Sequence, residues 1–278
     1  MEGGPLVSVI TPVRDAADTL AETVASVRAQ TRGDWEMLLI DDGSTDGSAA
    51  LAAGFAAADP RIRALPLGAP LGTAAARNRG IAAARGRYIA FLDADDLWRP
   101  EKLARQIAFM AAGGHVFAFS AYRRMDAVGR PLGVVGVPAR VDYRRLLRDN
   151  VIGCLTAIYD SAAFGRVEMP PLVRRQDFGL WLRLLRLTPY AHGQDEVLAD
   201  YRVRPGSLSG SKLAAARDNW RLYREIEALP PARAAYYFLR CAGAGLLKAR
   251  AHARVHTLAT EAPGRSVTDR SPSRPDHP

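Results

Sequence analysis

The stretch YIAFLDADD, residues 88–96, sets five apolar residues, Tyr88–Leu92, directly against three aspartates, Asp93, Asp95 and Asp96. A short unbroken apolar run bounded by polar residues reads as a strand buried on both faces. The chain around it repeats that pattern. Upstream, Leu6–Thr11 is a β-branched run stopped by Pro12, and Ala17–Gln30 carries Leu20, Val24 and Val27 on one helical face. Trp35–Asp41 is a second apolar run, Ser48–Ala58 an Ala-rich helix, Ile62–Leu67 a third strand and Thr73–Ala84 a third helix. Downstream, Pro100 suits the first turn of a helix, where its missing N–H costs little. Strands alternating with helices predict an α/β fold with a mostly parallel sheet and helices on both faces.

After about Phe117 the alternation weakens. Phe117–Tyr122 and Val197–Val203 read as strands, Arg124–Val137 as an irregular glycine-containing excursion, and Asp177–Leu187 and Lys212–Glu227 as helices. This places a principal domain at 1–228, a C-terminal helical extension at 229–260 and a polar, proline-containing tail at 261–278 that is expected to be disordered. The 278 residues are 48% hydrophobic and 24% charged, the composition of a globular chain with a sizeable core. No run is long and apolar enough to span a bilayer, and no secretory leader is seen, so the expected location is cytoplasmic. Cys154 and Cys241 form no CxxC pair; both are expected as buried thiols, without zinc or disulfide. A net charge of +9 suits phosphate-bearing substrates or an anionic membrane face, and equally a solvated arginine-rich surface. No nucleic-acid-binding motif accompanies it.

In open α/β sheets ligands bind beyond the carboxyl ends of the strands. Three such ends are informative here: Thr11-Pro12, Asp41-Asp42-Gly43-Ser44 and Asp93-Ala94-Asp95-Asp96. Carboxylates gathered in one crevice repel unless cations or hydrogen-bond donors compensate. Asp93 and Asp95 offer hard oxygen ligands, which select Mg²⁺ or Mn²⁺ with substrate phosphate completing the shell. Asp41 and Asp42 open a turn in which one is expected to cap the next helix and the other to face a ligand. Arg77 lies just ahead of the acidic strand. Arg174, Arg175, Arg202 and Arg204 are candidate phosphate grips, and Pro205–Lys212 reads as a lid or as a plain surface loop. Tyr236–Arg240, with Lys248 and Arg250 behind it, reads either as a contact with an anionic membrane or as a core helix with a basic end.

The segments VSVITPVRDA, WEMLLIDDGSTDGS, GTAAARNRGIAAARGRYIAFLDADDLWRPEKL and RRQDFGLWLRLL resemble, in order and spacing, the family 2 glycosyltransferases of GT-A, Rossmann-like fold. The later YRVRPGSLSGSKLAAARDNWRLYREI is similar to the bacterial branch that builds surface polysaccharides, including teichuronic-acid-type enzymes. The resemblance implies an inverting transfer from a nucleotide-sugar, a UDP-sugar above all, to a hydroxyl of a glycan or lipid-linked acceptor. It implies that Thr11 and Pro12 line the nucleotide pocket through backbone and that Asp41 or Asp42 contacts the nucleoside. Asp93, Ala94 and Asp95 form the DxD motif, with Asp95 and then Asp93 on the metal, and Arg77 joins the donor site. Asp177 is the implied catalytic base. Two positions depart from the pattern. Arg14-Asp15 stands where many members have Tyr-Asn, and Gln176 precedes Asp177 where many have Glu. The QxxRW signature of processive synthases is absent. Alternatives are a non-catalytic nucleotide-sugar binder, which the retained Asp93, Asp95 and Asp177 disfavour, and a sugar nucleotidyltransferase, which would carry a glycine-rich loop absent from Val7–Asp15.

Overall fold

The computed structural model describes residues 4–204 and 212–243. Its sheet has the order β3-β2-β1-β4-β9-β6-β10-β5, with Ile62–Ala64 (β3), Trp35–Asp41 (β2), Val7–Val13 (β1) and Tyr88–Phe91 (β4) all parallel. Ile158–Asp160 (β9) turns antiparallel between β4 and Phe117–Met125 (β6). Ala191–Arg202 (β10) returns parallel to β6, and the two-residue Leu97–Trp98 (β5) closes that edge. Pro131–Val135 (β7) and Arg140–Val141 (β8) pair to β6 and β10.

Strand alternation sorts the core into two layers. Ile10, Leu38, Ile40, Ile89 and Phe91 face one side, where Thr73–Ala83 (α3) and Gln176–Leu184 (α7) cover them. Val7, Val9, Met37, Leu39, Ala90 and Leu92 face the other, under Leu20–Arg28 (α1), Ser48–Ala58 (α2) and Lys102–Gly113 (α4). The period of two in side-chain direction produces this division. Two glycines let site-bearing helices come close. A Cβ on Gly80 of α3 would lie 2.5 Å from the Ile10 side chain, and one on Gly179 of α7 would lie 2.3 Å from the Pro170 ring.

Several expectations shift. Segment Arg124–Val137 is not irregular: β6 and β7 form a hairpin whose turn is held by the Asp126 carboxylate, which accepts from the amides of Val128 and Arg130. The helix near Pro100 starts at Lys102, because β5 intervenes and residues 100 and 101 form a turn. The two cysteines are partly exposed rather than buried. The helix Lys212–Arg221 (α8) runs into a π-helical turn, Leu222–Ile226. Residues 231–243 are helical, with Ala234 fully buried in the main core and Tyr236 and Leu239 exposed on the other side. The lid segment at 205–211 and the tail at 261–278 lie outside the described residues. No helix among the described residues is long and apolar enough to cross a membrane.

Lys102, the first residue of α4, is fully buried. Its Nζ donates to the Gln106 side chain and, at 3.4 Å, to the Thr156 carbonyl, and lies 4.7 Å from the centroid of the Trp98 ring. Burial pushes its pKa down to about 7 from the ordinary 10.5. Between these values the unfolded chain binds a proton that the folded chain has released, so stability rises with pH; below about 7 the penalty is present in full. Lys102→Met is therefore expected to raise the Tm at pH 7 and to flatten the rise toward pH 10. Thermal melts across that range check this, and a variant with unchanged pH dependence contradicts it.

Candidate functional site

The ends of β1, β2 and β4 lie at the same side of the parallel half of the sheet, where the order reverses between β1 and β4. The turns after β1 and β2 are laced together by short polar side chains. Asp15, at a left-handed φ of 45°, accepts from the Thr45 amide at 2.7 Å and the Thr45 hydroxyl at 3.2 Å. Asp46 accepts from the amides of Ala17 and Ser48, and Arg14 Nη1 donates to the Asp42 carbonyl at 2.7 Å. The Arg14-Asp15 departure thus serves to fasten the two turns. Asp42 binds the amides of Leu71 at 2.6 Å and Gly72 at 3.0 Å, fixing the loop that leads into α3. Asp41 accepts more loosely from the Ser44 amide, at 3.3 Å. Neither caps α2, whose N-cap is Gly47; the amide of its first residue, Ser48, donates to the Asp46 carboxylate instead. Thr11 is fully enclosed, its hydroxyl without a partner, so of the Thr11-Pro12 pair only Pro12 presents surface.

The acidic turn follows β4. Asp93 and Asp95 keep about a third of their side chains exposed, at 36% and 34%, so both can reach a ligand in the crevice. Ala94 is buried and its carbonyl accepts from the Thr19 hydroxyl at 2.9 Å. Asp96 is buried, accepts from the Arg202 amide at 2.8 Å, and its carbonyl takes the Thr23 hydroxyl at 3.0 Å. Burial, and then repulsion from Asp93, raise the pKa of Asp95; burial and the other two carboxylates raise that of Asp96 well above its ordinary value. Thr19, Glu22 and Thr23 were missed as site residues. Their i, i+3, i+4 spacing at the start of α1 is a polar stripe that could have marked them.

Three arginines answer this charge. Arg77, on α3, is almost entirely buried and ion-pairs with Asp93 through Nη2, while its Nε has no partner. Burial opposes its charge, but the fields of Asp93, Cys154 and Asp177 outweigh that and hold it more firmly protonated than usual. Asp93 is in direct contact with this buried cation, and Asp177 adds to the field that it feels. Asp177 is the second residue of α7, after Gln176 and a left-handed Arg175 at φ 67°; it is partly exposed and is not the N-cap. Gln176 is buried with Oε1 unpartnered and places no second charge beside Asp177. Cys154 keeps some exposed surface, yet desolvation of its thiol raises it well above the ordinary value.

Arg202 and Arg204 differ in kind. Arg202, expected as a phosphate grip, is a buried clasp: Nε donates to the Asp95 carbonyl at 2.8 Å, Nη1 to the Ala127 carbonyl at 2.8 Å and Nη2 to Glu22 at 2.6 Å. All three nitrogens are spent on the protein, which removes it from the phosphate-gripping set. Arg204 lies 3.4 Å from Asp95 through Nε, donates to the Thr19 hydroxyl at 2.7 Å and is a third exposed. Arg174 faces Asp218, with its amide 3.2 Å and its Nη1 3.9 Å from Oδ2. Removing the clasp leaves two carbonyls and Glu22 without their donor and takes a positive charge away from the buried Asp96, which keeps only the amide of residue 202. Arg202→Met is expected to cost about 2–4 kcal/mol of stability. Denaturant titration checks this, and a loss no larger than that of Arg204→Met contradicts the clasp.

Among the described residues no three His, Cys, Asp or Glu side chains converge as a cation site. A cation caged wholly by protein therefore does not fit. One held on the exposed oxygens of Asp95 and Asp93 and shared with a diphosphate does, because hard cations of this size take one or two carboxylates and complete their shell with phosphate and water.

The sequence profile of glycosyl transferase family 2 matches residues 8–164. TuaG of Bacillus subtilis, named for teichuronic acid biosynthesis, is 41% identical over 239 residues, 86% of this chain and 95% of TuaG. WfgD of Escherichia coli, named a UDP-Glc:α-D-GlcNAc-diphosphoundecaprenol β-1,3-glucosyltransferase, is 32% identical over 244 residues, 87% of this chain and 94% of WfgD. Among solved structures, S. aureus TarS 1–349 with UDP-GlcNAc superposes with a TM-score of 0.66 at 19% identity, over 84% of this chain and 70% of that one. The mannosyltransferase PcManGT of Pyrobaculum calidifontis, solved with GDP-Man and Mn²⁺, also gives 0.66, at 18% identity over 95% of this chain and 77% of that one. The fold is thus the GT-A glycosyltransferase fold, and the chain belongs to glycosyl transferase family 2.

Proposed function

We propose that the chain is an inverting, metal-assisted glycosyltransferase that moves a sugar from a UDP-sugar to a hydroxyl of a glycan or lipid-linked acceptor in bacterial surface-polysaccharide synthesis. The observation that carries the reading is the acidic turn at the end of β4, with Asp93 and Asp95 open to the crevice and Asp93 anchored on the buried Arg77, in a chain of family 2. The names of WfgD, which specifies UDP-Glc, and of TarS bound to UDP-GlcNAc support a uridine donor.

In this reading Pro12 and the Asp41-Asp42 turn receive the nucleoside, and Asp93, Ala94 and Asp95 face the diphosphate and sugar. A divalent cation, Mg²⁺ or Mn²⁺, bound at Asp95 beside Asp93 supplies neutralisation of the charge that builds on the leaving diphosphate. Asp177 accepts the acceptor hydroxyl's proton as that oxygen bonds to the anomeric carbon. The bond from the anomeric carbon to the diphosphate oxygen breaks on the opposite face, and the diphosphate departs with the electron pair. Arg77 holds Asp93 in place and keeps positive charge beside it. Residues 1–228 form the catalytic unit. The helix beyond it, exposing Tyr236, Leu239 and Arg240, faces the cytoplasmic side of a membrane that carries the lipid-linked acceptor.

Asp177→Asn should lower turnover on the order of a thousandfold while leaving UDP affinity unchanged, because the amide keeps the shape and loses the base. Donor turnover and UDP titration on the variant check this. Near-normal turnover would remove Asp177 from the mechanism.

A further inference from the structure

Each carboxylate of the Asp93-Ala94-Asp95 turn already has a cation of its own. Asp93 is paired to Arg77 and Asp95 to Arg204. Two guanidiniums carry the charge of one divalent ion, and they stand against the oxygens to which the proposed function assigns that ion.

The two pairs are built differently. Arg77 sits within α3, its side chain 4% exposed, in direct contact with Asp93. It is not free to leave, because a charged guanidinium withdrawn from its carboxylate inside the protein would lose its compensation. Arg204 lies just past the end of β10, its side chain 32% exposed, and meets Asp95 at 3.4 Å. Its second contact, 2.7 Å, is to the Thr19 hydroxyl, which itself donates to the Ala94 carbonyl. Arg204 is therefore moored to the same turn through a neutral hydroxyl and can let go of Asp95 without being stranded. An ion pair with a third of each side chain exposed is weak at this separation, worth no more than about 1 kcal/mol.

We propose that Arg204 is an internal stand-in for the divalent cation: it occupies Asp95 in the ligand-free protein and yields it when a cation arrives with a nucleoside diphosphate, while Arg77 stays on Asp93. The inference rests on the metal-assisted reading above. Arg204 then competes with a cation offered alone, and the diphosphate relieves that competition by giving the displaced guanidinium a new anionic partner. Cation and nucleotide consequently bind with positive coupling that Arg204 creates. Arg204 is a positioning residue here, and its effect is read on binding rather than on turnover.

The test is Mn²⁺ binding to the full chain, followed by electron paramagnetic resonance of the free ion, with Mn²⁺ alone and with saturating UDP. Arg204→Gln is expected to bind Mn²⁺ alone about fivefold more tightly than wild type, and to gain less from UDP. Arg204→Lys, which keeps the charge, should stay closer to wild type. If Arg204→Gln binds Mn²⁺ alone no more tightly than wild type, including the case where neither retains it, the stand-in role is wrong. If wild type fails to hold Mn²⁺ even with UDP present, the metal-assisted reading itself falls, which separates the two failures.

Discussion

Three aspartates in four residues cannot sit at the end of a buried strand unless positive charge is brought to them. Asp96 is buried outright, and Asp93 and Asp95 stand beside it at the crevice mouth. The compensation comes from far along the chain: Arg77 from α3, Arg202 and Arg204 from the end of β10 and just beyond. Arg202 binds Asp95 and Ala127 through their carbonyls and reaches Glu22, 180 residues away, so one side chain ties the first helix, the hairpin and the acidic turn. The parallel half of the sheet could form without this clasp. The site could not.

That dependence explains what was legible beforehand. From Leu6 to Leu92 the elements announce themselves, because β1, β2 and β4 are buried on both faces, α1 shows an apolar face of period 3.6, and α2 and α3 are rich in alanine. The second half is harder to read. Strands β5 and β8 have two residues each and are defined by partners, not by any pattern of their own. The β6–β7 hairpin carries glycines and an exposed apolar strand, which read as loop. It exists because the sheet edge is there to pair with.

The site was legible by residue type and not by role. The carboxylates Asp93, Asp95 and Asp177 are visible as strand-end and helix-start acids. Nothing local tells Arg202 from Arg204: they stand two residues apart, at the end of a predicted strand and just past it, and both read as phosphate grips. Only the tertiary position of Glu22 and Thr19 makes one a buried clasp and leaves the other a third exposed. Asp42 is a similar case. Its neighbours suggest a helix cap, and its partners turn out to be amides about 30 residues downstream, at Leu71 and Gly72. Thr11, placed in the pocket by resemblance, ends inside the core because β1 has the same kind of cover on both faces.

A family 2 glycosyltransferase fold fixes the frame of the reaction, and the central claim about this chain is that the acidic turn holds the donor diphosphate through a cation on Asp95. Calorimetric titration of UDP into wild type and Asp95→Ala, with and without Mn²⁺, tests it directly. The account predicts UDP binding that requires Mn²⁺ in the wild type and disappears in the variant. UDP binding that ignores Mn²⁺, or that survives unchanged in Asp95→Ala, would contradict it.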